Sequence, residues 1–335
     1  MTLSVKDIFG IADRYCDSAA LHFAHQQGVF ELLSAAKTSD EVAATLRWQT
    51  RKTAILLHAL VALGLLERDG QRFTNAAATA RALVRSSPDY IGDLVEHERL
   101  QWGLWAQLGD ILATDEAVAG QQDLNLRADP VANAVFHRAM EQLSNDLVER
   151  VIQVEYWSDC SRILDLAGGH GRYLAAVLQA VPDASGEVWD AASAAPYAHR
   201  TFDRYDVAHR ARFREADISS PSSFERQTAD GVMLNHCLHH FDMAGVRRVL
   251  SNAVSVLPPG GVITILDVHL DEGRSSPREN ALFSLYMMVN VARGEVHPTS
   301  EVAGYLTSIG VDVKVEPLQN LEDDFLLVGR RRKCR

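Results

Sequence analysis

Two stretches of this chain hold chemically capable residues at short spacing. In ILDLAGGHGRYL, Ile163 to Leu174, apolar β-prone residues surround Asp165, and Gly168, Gly169 and Gly171 follow at once. The pattern predicts a buried strand over Ile163 to Leu166, a tight turn, and a helix over Tyr173 to Val181. Such a turn brings bare backbone N–H groups and a helix N-terminus up to a nucleotide-like ligand. The second stretch, LNHCLHHFD, runs from Leu234 to Asp242 and is rich in histidine. Imidazoles exchange protons near neutral pH and ligate metals. Between the two, VWD ends a segment in Asp190, an acid suited to gripping ribose hydroxyls, and EADI carries Asp217.

A scaffold must position these residues. From Arg162 on, strand and helix patterns alternate: Ile163 to Leu166, Glu187 to Trp189, Arg212 to Glu215, Gly231 to Leu234 and Val262 to Asp267 read as strands. Short loops and intervening helices imply a parallel sheet. Val311 to Glu316 followed by Phe325 to Val328 suit a terminal antiparallel hairpin. Upstream, residues 7 to about 155 read as nearly all helix. Ala19 to Leu33 have helical apolar spacing with Gly28 inside. Thr38 to Glu41 form a capping-box pattern before Val42 to Leu46. Thr50 to Leu63 form a helix stopped by Gly64, and Leu65 to Thr74 read as a hairpin with Asp69-Gly70 at its turn. Helix, helix, hairpin is a winged-helix pattern.

The order of these motifs, closing with LPPGGVITILD from Leu257 to Asp267, resembles the class I S-adenosylmethionine (SAM) dependent methyltransferases. It is similar above all to the small-molecule O-methyltransferases with an N-terminal dimerisation domain. An NAD site would show G-x-G-x-x-G, whereas this turn reads A-G-G-H-G. The resemblance implies an α/β fold: a Rossmann-like, mostly parallel sheet plus an N-terminal all-α winged-helix dimerisation domain. It implies residues 1–100 for dimerisation, 101–157 as a helical connector with substrate-pocket helices, and 158–335 for SAM. Carried over by position, Ala167 stands where the family has its first glycine, beside Gly168, and faces the methionine moiety. Asp190 matches the ribose-binding acid, Asp217 the acid at the adenine amine, Ile218 the residue on the adenine face, and Asn235 a position near the methionine end. A water-exposed strand-end acid is the bland alternative for Asp190 and Asp217.

The same resemblance places His239 at the family's catalytic histidine. The next two positions depart from its L-H-D-W pattern, with His240 for Asp and Phe241 for Trp. In GEVHPT, Gly294 to Thr299, His297 stands where the family carries a catalytic glutamate, and Asp267 stands at its second acid. The loss of that glutamate leaves His239, His240 and His297 with nothing to orient them, and a divalent metal, or iron, would use all three lone pairs. A metal favours a chelating 2-oxo acid, whose adjacent C–H it would acidify. The resemblance then extends to a bacterial branch of α-keto-acid C-methyltransferases, with Asp267 left to take the proton. Arg127 would hold the distal end of the acceptor. Trp102, Phe136, Met140, Met287 and Met288 would line the pocket, and Glu96, Glu98 and Glu141 would pair with a guanidinium, as in the 2-oxo analogue of arginine. The alternative is an aromatic O-methyltransferase with His239 as general base.

Bulk composition narrows the partners. A chain of 335 residues has room for about two domains. Its 47% hydrophobic content supports sizeable cores, and its formal net charge of −11 argues against nucleic acid or an anionic membrane as partner. The acidic balance, with only Arg51 and Lys52 as cations in Thr50 to Leu63, also argues against a DNA-binding regulator. No apolar run approaches a membrane span, and the N-terminus lacks signal-peptide features. Cys16, Cys160, Cys237 and Cys334 are scattered without a C-x-x-C pair, which fits a reducing cytoplasm. The expectation is a cytoplasmic homodimer.

Overall fold

The computed structural model describes residues 3–119, 121, 129–152, 154–224, 229–316, 318 and 324–333. The chain divides into two compact units, Met1–Leu100 and Gln101–Arg335. In the first unit the Thr38 hydroxyl accepts from the Glu41 N–H while the Glu41 carboxylate accepts from the Thr38 N–H, so the capping box starts the helix Ser39–Leu46. The helix Thr50–Ala62 ends just before Gly64, whose φ is +75°. The expected single helix over Ala19 to Leu33 is instead two, Tyr15–Gln26 and Val29–Leu32, because Gly28 takes φ +72° and breaks the ladder. A small sheet joins β1 (Lys37–Thr38), β3 (Arg72–Asn75) and β2 (Leu66–Asp69). Asp69 pairs with Arg72, so the hairpin loop is Gly70-Gln71, one residue beyond the expected Asp69-Gly70. Phe30, Leu33, Leu57 and Leu60 are fully buried and anchor the core of this unit.

The second unit is built on a seven-stranded sheet. Its strands are β4 (Arg162–Leu166), β5 (Ser185–Asp190), β6 (Ala211–Glu215), β7 (Gly231–Asn235), β8 (Val262–Val268), β9 (Val311–Glu316) and β10 (Asp324–Arg331). They lie in the order β6-β5-β4-β7-β8-β10-β9. The first five run parallel, and β10 is antiparallel to both neighbours. The chain steps outward from β4 to β6, then returns to place β7 on the other side of β4. That reversal opens a crevice at the carboxyl ends of β4 and β7, where open α/β sheets take their ligands. Both sheet faces are covered. Val246, Val249 and Leu250 pack on one face, and Leu174, Leu178 and Phe202 on the other. Each fully buried side chain of this kind contributes about 1.5–3 kcal/mol, so the sheet is a rigid base for the residues at its edge. Among the described residues, no helix is long and apolar enough to cross a membrane.

Candidate active site

At the glycine turn two positions have no room for a side chain, Gly168 and Gly171. A Cβ on Gly168 would lie 2.5 Å from the Asp165 carboxyl. Gly171, at φ +71°, opens the helix Arg172–Ala180. Ala167 takes the family's glycine position at φ +56°, a left-handed conformation that costs a residue with a Cβ about 1–2 kcal/mol. Asp190, at the end of β5, rests on this turn. Its Oδ2 accepts from the Gly169 N–H at 2.8 Å and its Oδ1 from the Ala191 N–H at 2.6 Å. Asp217 lies two residues past β6, and its Oδ1 accepts from the N–H and hydroxyl of Ser219. Ile218 is 6% exposed and packs into the core with Trp189.

Below the turn sits a charge-sensitive pair. Both oxygens of Asp165 and Asn235 Nδ2 are buried and make no hydrogen bond of good geometry, although the Asn235 amide and the Leu174 N–H lie near the carboxyl. Burial first, then the Asp190 charge, pushes the Asp165 carboxyl up to about 8; the Asn235 amide and Leu174 N–H favour its ionised form. SAM is a cation with an amine, ribose hydroxyls and a purine. The buried carboxyl and amide, the Asp190 carboxylate and the glycines of the turn fit those groups.

The histidine cluster differs from the expectation. His239 sits in the turn Leu238–His240 after β7, and Asp267 near the end of neighbouring β8. Their side chains meet at 2.5 Å, His239 Nδ1 to Asp267 Oδ1, with the residues 7% and 3% exposed. Asp267 also accepts from the N–H groups of Leu238 and Val268, each at 2.8 Å. Burial alone would raise this carboxyl. The charge and hydrogen bond of His239 outweigh it and hold Asp267 well below the usual carboxylate range. His239 is therefore oriented by an acid.

The metal trio is corrected accordingly. His297 Nε2 donates to the Phe241 carbonyl at 2.8 Å, so one of its nitrogens is engaged by backbone. His239 Nδ1 is engaged by Asp267, and the His240 ring lies 4.9 Å from that of His239. Among the described residues no group of three or more His, Cys, Asp or Glu could hold a metal ion. The three histidines expected to share an ion are not brought together as a ligand set, and the chelated 2-oxo acid is left without support.

Sequence reasoning missed His236. Its φ is +49°, its Nε2 is buried without a partner, and its ring is 6.4 Å from His239. Burial pushes it down to about 4, so it is neutral. The histidine-rich run was the available signal. Arg127 lies outside the described residues. Trp102 is 42% exposed on the helix Gly92–Trp105, and Met140 is half-buried on the helix Pro130–Val151. Met287 is buried, and Met288 packs on the cluster of Leu104, Ile111 and Val289. Two of the three acids expected to meet a guanidinium already hold arginines of this chain: Glu96 pairs with Arg99, and Glu141 with Arg200 and Arg204.

Comparison with known proteins identifies the family. Residues 113–312 match the O-methyltransferase domain and residues 9–86 the O-methyltransferase dimerisation domain. The chain is 28% identical over 338 residues to the N,N-dimethyltransferase OxyT of Streptomyces rimosus, spanning 97% of this chain and 96% of that protein. It is 26% identical to the tetracenomycin polyketide synthesis 8-O-methyl transferase TcmO of Streptomyces glaucescens, again over 97% and 96% of the two. A solved O-methyltransferase family protein from Burkholderia thailandensis superposes over 100% of both chains with a TM-score of 0.94 and 39% identity. The parallel sheet with its glycine turn, the acid-held histidine and these matches over both units place the chain in the family of SAM-dependent O-methyltransferases.

Proposed function

We propose that this chain moves a methyl group from SAM to the hydroxyl oxygen of a small aromatic acceptor, with His239 as general base and Asp267 holding it. The observation that carries the reading is the buried 2.5 Å contact between His239 Nδ1 and Asp267 Oδ1. An ionised carboxylate can only accept, so Nδ1 carries the proton and Nε2 offers its lone pair. A phenol, with a pKa of about 10, keeps its proton at neutral pH unless a base receives it. His239 Nε2 takes that proton as the oxygen attacks, and the imidazolium forms beside Asp267, which stabilises it without being protonated. A positioned base of this kind contributes roughly 10²–10⁴ in rate.

When bound, SAM supplies an electrophilic methyl on its sulfonium. The rest is done by residues of the chain. The turn at Gly168 and Gly169 admits the ligand to the backbone, Asp190 takes the ribose hydroxyls, Asp217 lies towards the adenine, and Asp165 with Asn235 faces the methionine end. The name of the tetracenomycin relative specifies transfer to oxygen, which supports the acceptor atom. A homodimer is the working form under this reading. The match to a dimerisation domain supports it, as does the helix Val5–Asp13, none of whose residues is buried.

A screen of aromatic hydroxyls against 2-oxo acids, with the methyl located by NMR, tests the chemistry. Aromatic hydroxyls are expected to be methylated on oxygen, and His239→Asn to lose about 10²-fold or more in kcat with KM within a few-fold. Methyl found on the carbon of a 2-oxo acid, with every aromatic hydroxyl untouched, would sink the reading.

A further inference from the structure

His137 is a buried imidazole that none of the steps above uses. It lies on the helix Pro130–Val151 and is 4% exposed. Its ring stacks on Tyr197 with centroids 4.3 Å apart and meets Phe136 edge-on at 5.2 Å. The Arg200 guanidinium lies 5.2 Å from the Tyr197 ring centre, so the stack is itself held. This packing fixes the imidazole plane. Its Nδ1 is nevertheless buried with no hydrogen-bond partner. A buried, unpaired polar atom on a rigid ring costs free energy that a ligand would relieve.

The direction of that nitrogen is informative. A Cβ built on Gly169 would stand 4.0 Å from His137 Nδ1 and 3.9 Å from Asp190 Oδ2. The imidazole nitrogen and the carboxylate oxygen therefore both lie within about 4 Å of one point at the glycine turn. Burial, reinforced by His170 and Arg200, pushes His137 down to about 4, so the ring is neutral and holds one N–H and one lone pair. A ligand anion would meet repulsion from Asp190 there. A hydroxyl meets none, since it can donate to one group and accept from, or share with, the other.

We infer that His137 belongs to the cofactor site and that its Nδ1 hydrogen-bonds a ribose hydroxyl of SAM beside Asp190. The inference rests on the ribose lying at Asp190, as proposed above, and the test separates the two. Calorimetry would compare SAM, S-adenosylhomocysteine and adenosine on the full chain and on His137→Leu, His137→Asn and Asp190→Ala. Leucine removes the polar atom, while asparagine keeps one near the Nδ1 position. His137→Leu should weaken all three ligands about tenfold, the loss of one net hydrogen bond. His137→Asn should stay within about threefold of the parent. The SAM-dependent rise in Tm should shrink in His137→Leu. Unchanged affinity in His137→Leu with weakened binding in Asp190→Ala overturns the role of His137 alone. Unchanged affinity in both variants overturns the ribose placement with it. A loss confined to competing free methionine, with adenosine unaffected, also overturns it. If His137→Leu does not fold, ¹⁵N-histidine labelling of the parent chain reads the same contact: adenosine must move the His137 Nδ1 resonance, and a static resonance refutes the proposal.

Discussion

At the scale of single residues, the decisive contact joins two side chains 28 positions apart. Asp267 fixes which nitrogen of His239 carries the proton. In Asp267→Asn the amide can offer its N–H to Nδ1, which moves the ring proton to Nε2 and removes the lone pair an acceptor needs. The expected outcome is a kcat lower by about 10²–10⁴ with KM within a few-fold, since ground-state binding does not use the pair. Steady-state kinetics at saturating SAM check this, and a kcat within threefold of the parent would contradict it. The positions of His239 and Asp267 were legible in the sequence, but their pairing was not. It depends on the β7–β8 register, which sets Asn235 opposite Leu266 and so brings the following turn over the strand end. His297 misled for a similar reason: its partner is the Phe241 carbonyl, and no residue type announces a backbone acceptor.

At the scale of elements, strands were read best. Central parallel strands are buried on both faces and appear as short apolar runs, so β4, β5, β7 and β8 begin and end within two residues of their expected limits, and the edge strand β6, mostly exposed, does so without that pattern. Turns were read worse, because one left-handed glycine shifts a boundary without changing hydrophobic spacing, as at Gly28. The strand–turn–helix unit around Asp165 also carries a testable cost. Its carboxyl is pushed up to about 8 in the folded chain from 3.8. Below about pH 4 both states are protonated and nothing changes. Between about 4 and 8 the unfolded chain has released this proton and the folded chain has not, so stability falls as pH rises; above 8 the penalty is constant. Asp165→Asn stays neutral throughout. Without SAM it should unfold at higher urea than the parent at pH 8, by up to a few kcal/mol, and match it more closely at pH 4. Equal midpoints at pH 8 would show that Asp165 carries no such burden. The elevated carboxyl is also what a site for a cationic ligand would retain, since a nearby positive charge converts the penalty into binding.

At the scale of the whole molecule, the N-terminal residues expose what a monomer would hide. The helix Val5–Asp13 is capped at both ends of its capping box, Ser4 and Asp7, so it is a formed element and not a frayed tail. Yet Leu3, Val5, Ile8, Phe9 and Ile11 are each more than half exposed, Phe9 at 70%. Scattered exposed apolar residues are ordinary, whereas a run of them along one amphipathic helix marks an interaction surface. The match to a dimerisation domain begins at residue 9 and takes in Phe9 and Ile11, so a second copy of the chain is the occupant proposed for this surface. A two-fold interface uses each residue twice. Replacing Ile8 and Phe9 by aspartate removes apolar burial of about 1.5–3 kcal/mol per side chain on each protomer. The dimer should then dissociate at least 10³-fold more readily. Light scattering at micromolar concentration should give twice the mass of the chain for the parent and the single mass for Ile8→Asp/Phe9→Asp. Circular dichroism of the variant should stay unchanged, because neither side chain is part of a core. A parent that scatters as a monomer at that concentration, or a doubly substituted chain that remains a dimer, would show that these residues are not the contact.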